Sequence, residues 1–150
     1  MKPTQSNKYG LIIAFGAAII ISVTGCQVVG NFFATAHYSE SASQTAKSVK
    51  EKSLALIDKS RDRAEYADFM KQDAQLMEQF DSAIASEQQR PKNRPTVEQW
   101  KSLKAEMRRF LDLWKTKGKL SPAFVDQQKP LVEKHFETLI KTEQEKRHST

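Results

Sequence analysis

Three histidines, one cysteine and eighteen carboxylates are the most reactive side chains of this 150-residue chain. Their spacing decides whether they can act together. His37, His135 and His148 are far apart, no two stand four residues from each other, and the His-Glu-x-x-His pattern of zinc hydrolases is missing. Glu145-x-x-His148 has the spacing of one half of a di-iron carboxylate site. Such a site needs a second half and two further glutamates from facing helices, so the single copy holds no metal. His135 falls on an apolar helical stripe, the position of a core-edge histidine rather than a general base. No Gly-x-Ser-x-Gly elbow is present, and the carboxylates are scattered, with no pair placed to face each other across a cleft. Glycines stand at 10, 16, 25, 30 and 118, too sparse for a phosphate-cradling loop. The expectation is a non-enzymatic protein without cofactor or metal. Cys26 remains as the one residue with an identifiable chemistry.

The element that positions Cys26 is the N-terminal stretch. Lys2 and Lys8 precede an apolar run from Gly10 to Val23. A basic start followed by an apolar segment of roughly 7–15 residues is the pattern of a secretory signal peptide. The run closes on Val23-Thr24-Gly25-Cys26. This resembles the lipobox of bacterial lipoproteins: a branched apolar residue, two small residues, then the cysteine. The resemblance implies that the Cys26 thiol receives a diacylglycerol group and that residues 1–25 are cleaved away. The new amino terminus would then be acylated as well. Gln27, in place of an aspartate, implies transfer to the outer membrane, facing the periplasm. Acyl chains contribute about 0.8 kcal/mol per buried CH₂, so two or three hold a protein stably on a bilayer.

A second reading of the same stretch stays open. After Cys26 the chain is still apolar, through Val28, Val29, Phe32, Phe33 and Ala34. Residues 11–36 are together long enough to cross a bilayer with some tilt, and Lys2 and Lys8 would hold the start on the cytoplasmic side of the inner membrane. Either way the remainder lies beyond the inner membrane. Residues 26–39 read as a tether, with Phe32, Phe33 and Tyr38 suited to the headgroup boundary or to packing on the body.

The body, residues 40–150, reads as all-α. No glycine or proline occurs from Glu40 to Gln89, which predicts one long helix, roughly 75 Å if unbroken. Met70, Ala74, Met77 and Ile84 keep helical spacing and predict its buried face, while the half before Arg63 is poor in large apolar residues and reads as a stalk or a partly paired segment. Arg90-Pro91-Lys92-Asn93-Arg94-Pro95 ends it, since two prolines cannot sit inside a continuing helix. This basic loop complements the helix dipole or touches an anionic surface. Thr96, with Gln99 three residues on, predicts the cap of a helix over 96–117. Its stripe of Trp100, Leu103, Met107, Phe110, Leu111 and Trp114 predicts core. Gly118 predicts the stop, and Ser121-Pro122 the start of a helix over 122–146, broken or kinked near Pro130. Phe124, Val125, Leu131, Val132, Phe136, Leu139 and Ile140 predict its inner face, and Glu143 to Thr150 a fraying tail.

Three stripes with short connections predict an antiparallel three-helix bundle with a long first helix. Segment 40–89 carries seven basic and ten acidic residues and segment 96–119 seven and three, so the two are expected side by side. The whole chain carries +6, too weak a surplus to imply nucleic acid. The functional expectation is an envelope lipoprotein held to the lipid bilayer through acylated Cys26, with an envelope protein as partner.

Overall fold

A computed structural model describes residues 36–61 and 64–148. Cys26, the leader 1–25, the tether as far as residue 35 and the alternative span over 11–36 lie outside these residues. Among the described residues the fold is four helices: α1 (Glu40–Arg61), α2 (Met70–Gln88), α3 (Arg94–Lys117) and α4 (Pro122–Glu145). Single 3₁₀ turns at Tyr66–Phe69 and Lys146–His148 lead into α2 and close α4. No strand occurs among the described residues. Each helix packs on two neighbours, in the ring α1–α2–α3–α4, and successive helices run antiparallel across short connections.

The expected long first helix is therefore two helices, and the bundle has four members rather than three. No glycine or proline marks the break, so propensity alone cannot place it. Two backbone groups just after it bond to α3 and its cap: Tyr66 N donates to Gly118 O at 3.3 Å, and Trp114 Nε1 donates to Ala64 O at 3.1 Å. Tertiary packing of an apolar face contributes more to a helix than propensity does. Folding the segment back covers a face that an unbroken helix, twice the length of α3, would leave in water.

Nor is α1 a stalk. It buries Ser43, Ala46, Val49, Ser53, Leu56, Ile57 and Ser60, a regular stripe with small side chains at four of seven positions. Small residues let α1 lie close to its neighbours while larger side chains from the other helices fill the layer. The inner face of α2 is also rotated from the expected one. Met70 is 56% exposed and Ala74 is exposed, whereas Asp73, Leu76, Met77, Phe80, Ala83 and Glu87 are buried.

The predicted stripe of α3 is the centre of the core. Trp100, Leu103, Met107, Phe110, Leu111 and Trp114 are all buried. Trp100 meets Phe80 edge-on at 5.8 Å and Phe136 at 6.4 Å. One end of the bundle is filled by Trp114 against Tyr66 and Phe69, at 5.6 and 5.4 Å. Gly118 ends α3 at φ 71, and its N–H donates to Trp114 O at 2.8 Å. Ser121 caps α4, its side chain accepting from Phe124 N at 3.3 Å. The start of α3 differs from expectation: Asn93 is at the N-cap, Pro95 in the first turn, and Thr96 already inside and buried. Helix α4 passes through Pro130 without interruption. Leu131 is 44% exposed and His135 is exposed, so neither belongs to its inner face.

Candidate functional site

The end of the bundle where the chain enters from residue 36 carries an unusual concentration of buried charge. Helix α4 brings Glu143, and the 3₁₀ turn after it brings Lys146. Helix α2 brings Glu87 and, just beyond it, Arg90. The Pro-flanked connection brings Asn93, and α3 brings Thr96. Glu87, Asn93, Thr96, Glu143 and Lys146 are each no more than 3% exposed. The fraying expected from Glu143 onward does not hold for Glu143 and Lys146. Glu143 and Lys146 are held because their charged groups bond to each other, to the chain entering α1, to the connection after α2 and to α3.

Lys146 Nζ donates to Asn93 Oδ1 at 2.7 Å, Thr96 Oγ1 at 2.9 Å and Glu143 Oε2 at 2.5 Å. Three acceptors match the three N–H bonds of an ammonium. Arg90 donates to both oxygens of Glu143, at 2.7 and 3.1 Å, and to Glu87 at 2.6 Å. Asn93 Nδ2 donates to Glu87 O at 3.1 Å and also to the Glu87 carboxylate. Burial alone would raise the Glu143 pKa. Hydrogen bonds from Arg90, Lys146 and the Ser39 N–H outweigh it and hold the carboxyl below its usual range. Burial likewise pulls the Lys146 ammonium below its ordinary value, against the attraction of Glu143.

The network also grips the entering chain. Arg90 Nη2 donates to His37 O at 2.5 Å, and Ser39 N donates to Glu143 Oε1 at 2.8 Å. Ser39 Oγ in turn accepts from Ala42 N at 3.2 Å, capping α1. Tyr38 stacks under Arg147, whose guanidinium carbon is 3.9 Å from the ring centroid. Arg90 of the basic loop is thus turned inward, and of its other cations Lys92 and Arg94 are exposed.

This arrangement can bind and position chain; it presents no free nucleophile. The carboxylates and cations are spent on one another. The residues first considered for chemistry are not brought together. His37 is exposed and contributes only its carbonyl. His135 is exposed and is 2.6 Å from Glu106 of α3, so it is a surface partner rather than a core-edge group. His148 and Glu145 are exposed, and no cluster of three or more ligating side chains occurs among the described residues.

Known proteins give no identity to set beside this geometry. No family model, curated protein or solved structure matches the chain. Among the described residues, no helix is long and apolar enough to cross a membrane.

Among the described residues, ion pairs cross the α1–α4, α2–α3 and α3–α4 seams. Lys50 meets Glu133 and Glu137, and Arg61 meets Asp126, between α1 and α4. Lys104 meets Asp81, and Arg108 approaches Asp73 at 3.9 Å, between α3 and α2, as the opposite charges of the two segments predict. Glu106 and His135 join α3 to α4. The α1–α2 seam instead opens into two adjoining hollows of about 520 and 360 Å³ that share Lys52 and Gln79.

Proposed function

We propose that the protein is an envelope lipoprotein, anchored in the bilayer by acylated Cys26, whose helical body is a non-enzymatic adaptor or accessory subunit. The observation that carries this reading is the position of Val23-Thr24-Gly25-Cys26, only ten residues ahead of the gripped segment Ala36–Ser39. A body tied to lipid by its N-terminus is pulled at that point. A charged clamp on His37 and Ser39 suits this load, because it joins the incoming chain to α2 and α4 at once. With Gln27 after the cysteine, the protein would reside in the outer membrane and face the periplasm.

Metabolic labelling with an alkyne fatty acid tests the anchor. Wild-type protein takes the label, and Cys26→Ser does not. Label retained in the Cys26→Ser variant, or absent from the wild type, overturns it. The apolar residues Val28, Val29, Phe32 and Phe33 favour a second reading, an uncleaved span over 11–36 with a periplasmic helical domain that oligomerises. Mass spectrometry of the N-terminus separates the two: an intact Met1-Lys2 end supports the span, and a blocked Cys26 end supports the lipoprotein.

A further inference from the structure

From the α1–α2 groove we infer that this face docks an acidic amphipathic helix supplied by a protein partner. The inference rests on the adaptor reading and says which surface does the binding. Around the shared residues Lys52 and Gln79 the floor is apolar, with Val49, Leu56, Phe69, Leu76 and Ala83. The α1 lip is Ser41, Thr45, Ser48, Lys52, Ala55 and Lys59, spaced alternately four and three residues apart. The α2 lip, Gln72, Gln75, Gln79, Ser82 and Ser86, alternates three and four. Such a spacing on two neighbouring helices is the surface into which a third helix packs at about 3.5 residues per turn.

Charge selects the occupant. Lys52 and Lys59 pair with no carboxylate among the described residues, unlike Lys50, Lys104 and Lys129 on the other seams. Glu51, the nearest unpaired carboxylate on α1, points about 100° away around the helix. At the far end Glu87 and Arg90 neutralise each other, so the groove holds two uncompensated positive charges. A second copy laid face to face would set these lysines against their own counterparts. An acidic partner pairs them instead.

Spacing selects a helix. Seven residues of α1 span about 10.5 Å, and a partner helix meets both lysines with carboxylates seven apart on one face. An extended chain covers that distance in about three residues, which places the two side chains on opposite sides. Gln79 adds a polar feature in mid-groove, since its Oε1 is buried without a donor.

Site-directed photocrosslinking in the cells that make the protein tests this with the full chain. A photoreactive residue replaces Ala55 in the groove, or Ala105 on the exposed side of α3 as control. The expected result is a crosslink from position 55, absent from 105, to a segment with helical apolar periodicity and carboxylates seven apart. Lys52→Glu with Lys59→Glu should weaken it at least tenfold, and Glu→Lys changes at the partner's two carboxylates should restore it. No crosslink at 55, a crosslink to lipid or to a second copy, or a yield unaffected by the charge reversal overturns the proposal. Fatty-acid labelling of Cys26 in the same cells reads the anchor separately. Label without a groove crosslink fails the docking site alone, and a groove crosslink without label fails the anchor alone.

Discussion

Individual polar residues inside this bundle divide into those that are satisfied and those that are not. Ser60 Oγ donates to Ile57 O at 2.6 Å, whereas Ser53 Oγ is fully buried without a partner. Tyr66 is the most strongly perturbed. Burial, then the 2.5 Å hydrogen bond it donates to Asp73, pushes its pKa from 10.0 up to about 12. The folded protein thus keeps the phenol protonated where the unfolded chain would lose the proton. The stabilisation stands in full below pH 10 and is lost as pH rises towards 12. Denaturant midpoints measured across that window should fall, and Tyr66→Phe should flatten the slope. Absorbance of phenolate should show Tyr66 titrating near pH 12. A single wave near pH 10 would contradict the buried contact.

At the scale of elements, α4 shows what a helix tolerates when its neighbours hold it. Pro130 lies eight residues inside, is exposed, and supplies no N–H to the carbonyl of Asp126. A proline in a helix interior costs about 3 kcal/mol relative to alanine. Val125, Val132, Phe136 and Leu139 anchor the helix on both sides of it, so the turn continues. Pro130→Ala should restore the missing bond and raise unfolding stability, by on the order of 1–3 kcal/mol in a urea titration. A loss of stability would mean that the proline sets a bend the core requires. The same reasoning explains α1: its four buried serines and alanines make a weak apolar stripe, yet α2 and α4 cover it from both sides.

Taken as a whole, the described bundle is closed at one end by charge and at the other by aromatic packing. Glu143 sits where α4, the end of α2 and the chain entering α1 meet, and Lys146 extends the contact to α3. Because its folded pKa is depressed, its stabilisation is complete above the ordinary value of 4.5 and declines as pH falls through and below it. Glu143→Gln should remove much of this acid dependence. At neutral pH it should also cost about 3–5 kcal/mol, the usual penalty for leaving buried cations without their carboxylate. Equilibrium unfolding from pH 3 to pH 7 reads both effects. An unchanged midpoint at pH 7 would show that the network adds nothing to closure.

Local periodicity and punctuation in the sequence determined three things: the helical class, the α3 core stripe with both tryptophans, and the boundaries at Gly118 and Ser121-Pro122. Each depends on residues within a turn or two of one another, where spacing and backbone constraint act directly. The reading of Cys26 rests on the same kind of local pattern, and it falls outside the described residues. Tertiary structure alone decided the break between α1 and α2, the inward turn of Arg90 and the burial of Glu143 and Lys146. Those outcomes depend on partners up to 104 residues away, between Glu143 and Ser39 at the gripped end, and short-range patterns carry no record of them. A glutamate and a lysine three apart look like any exposed helical pair. Only the closing of four helices around them removes the water and makes their charges count.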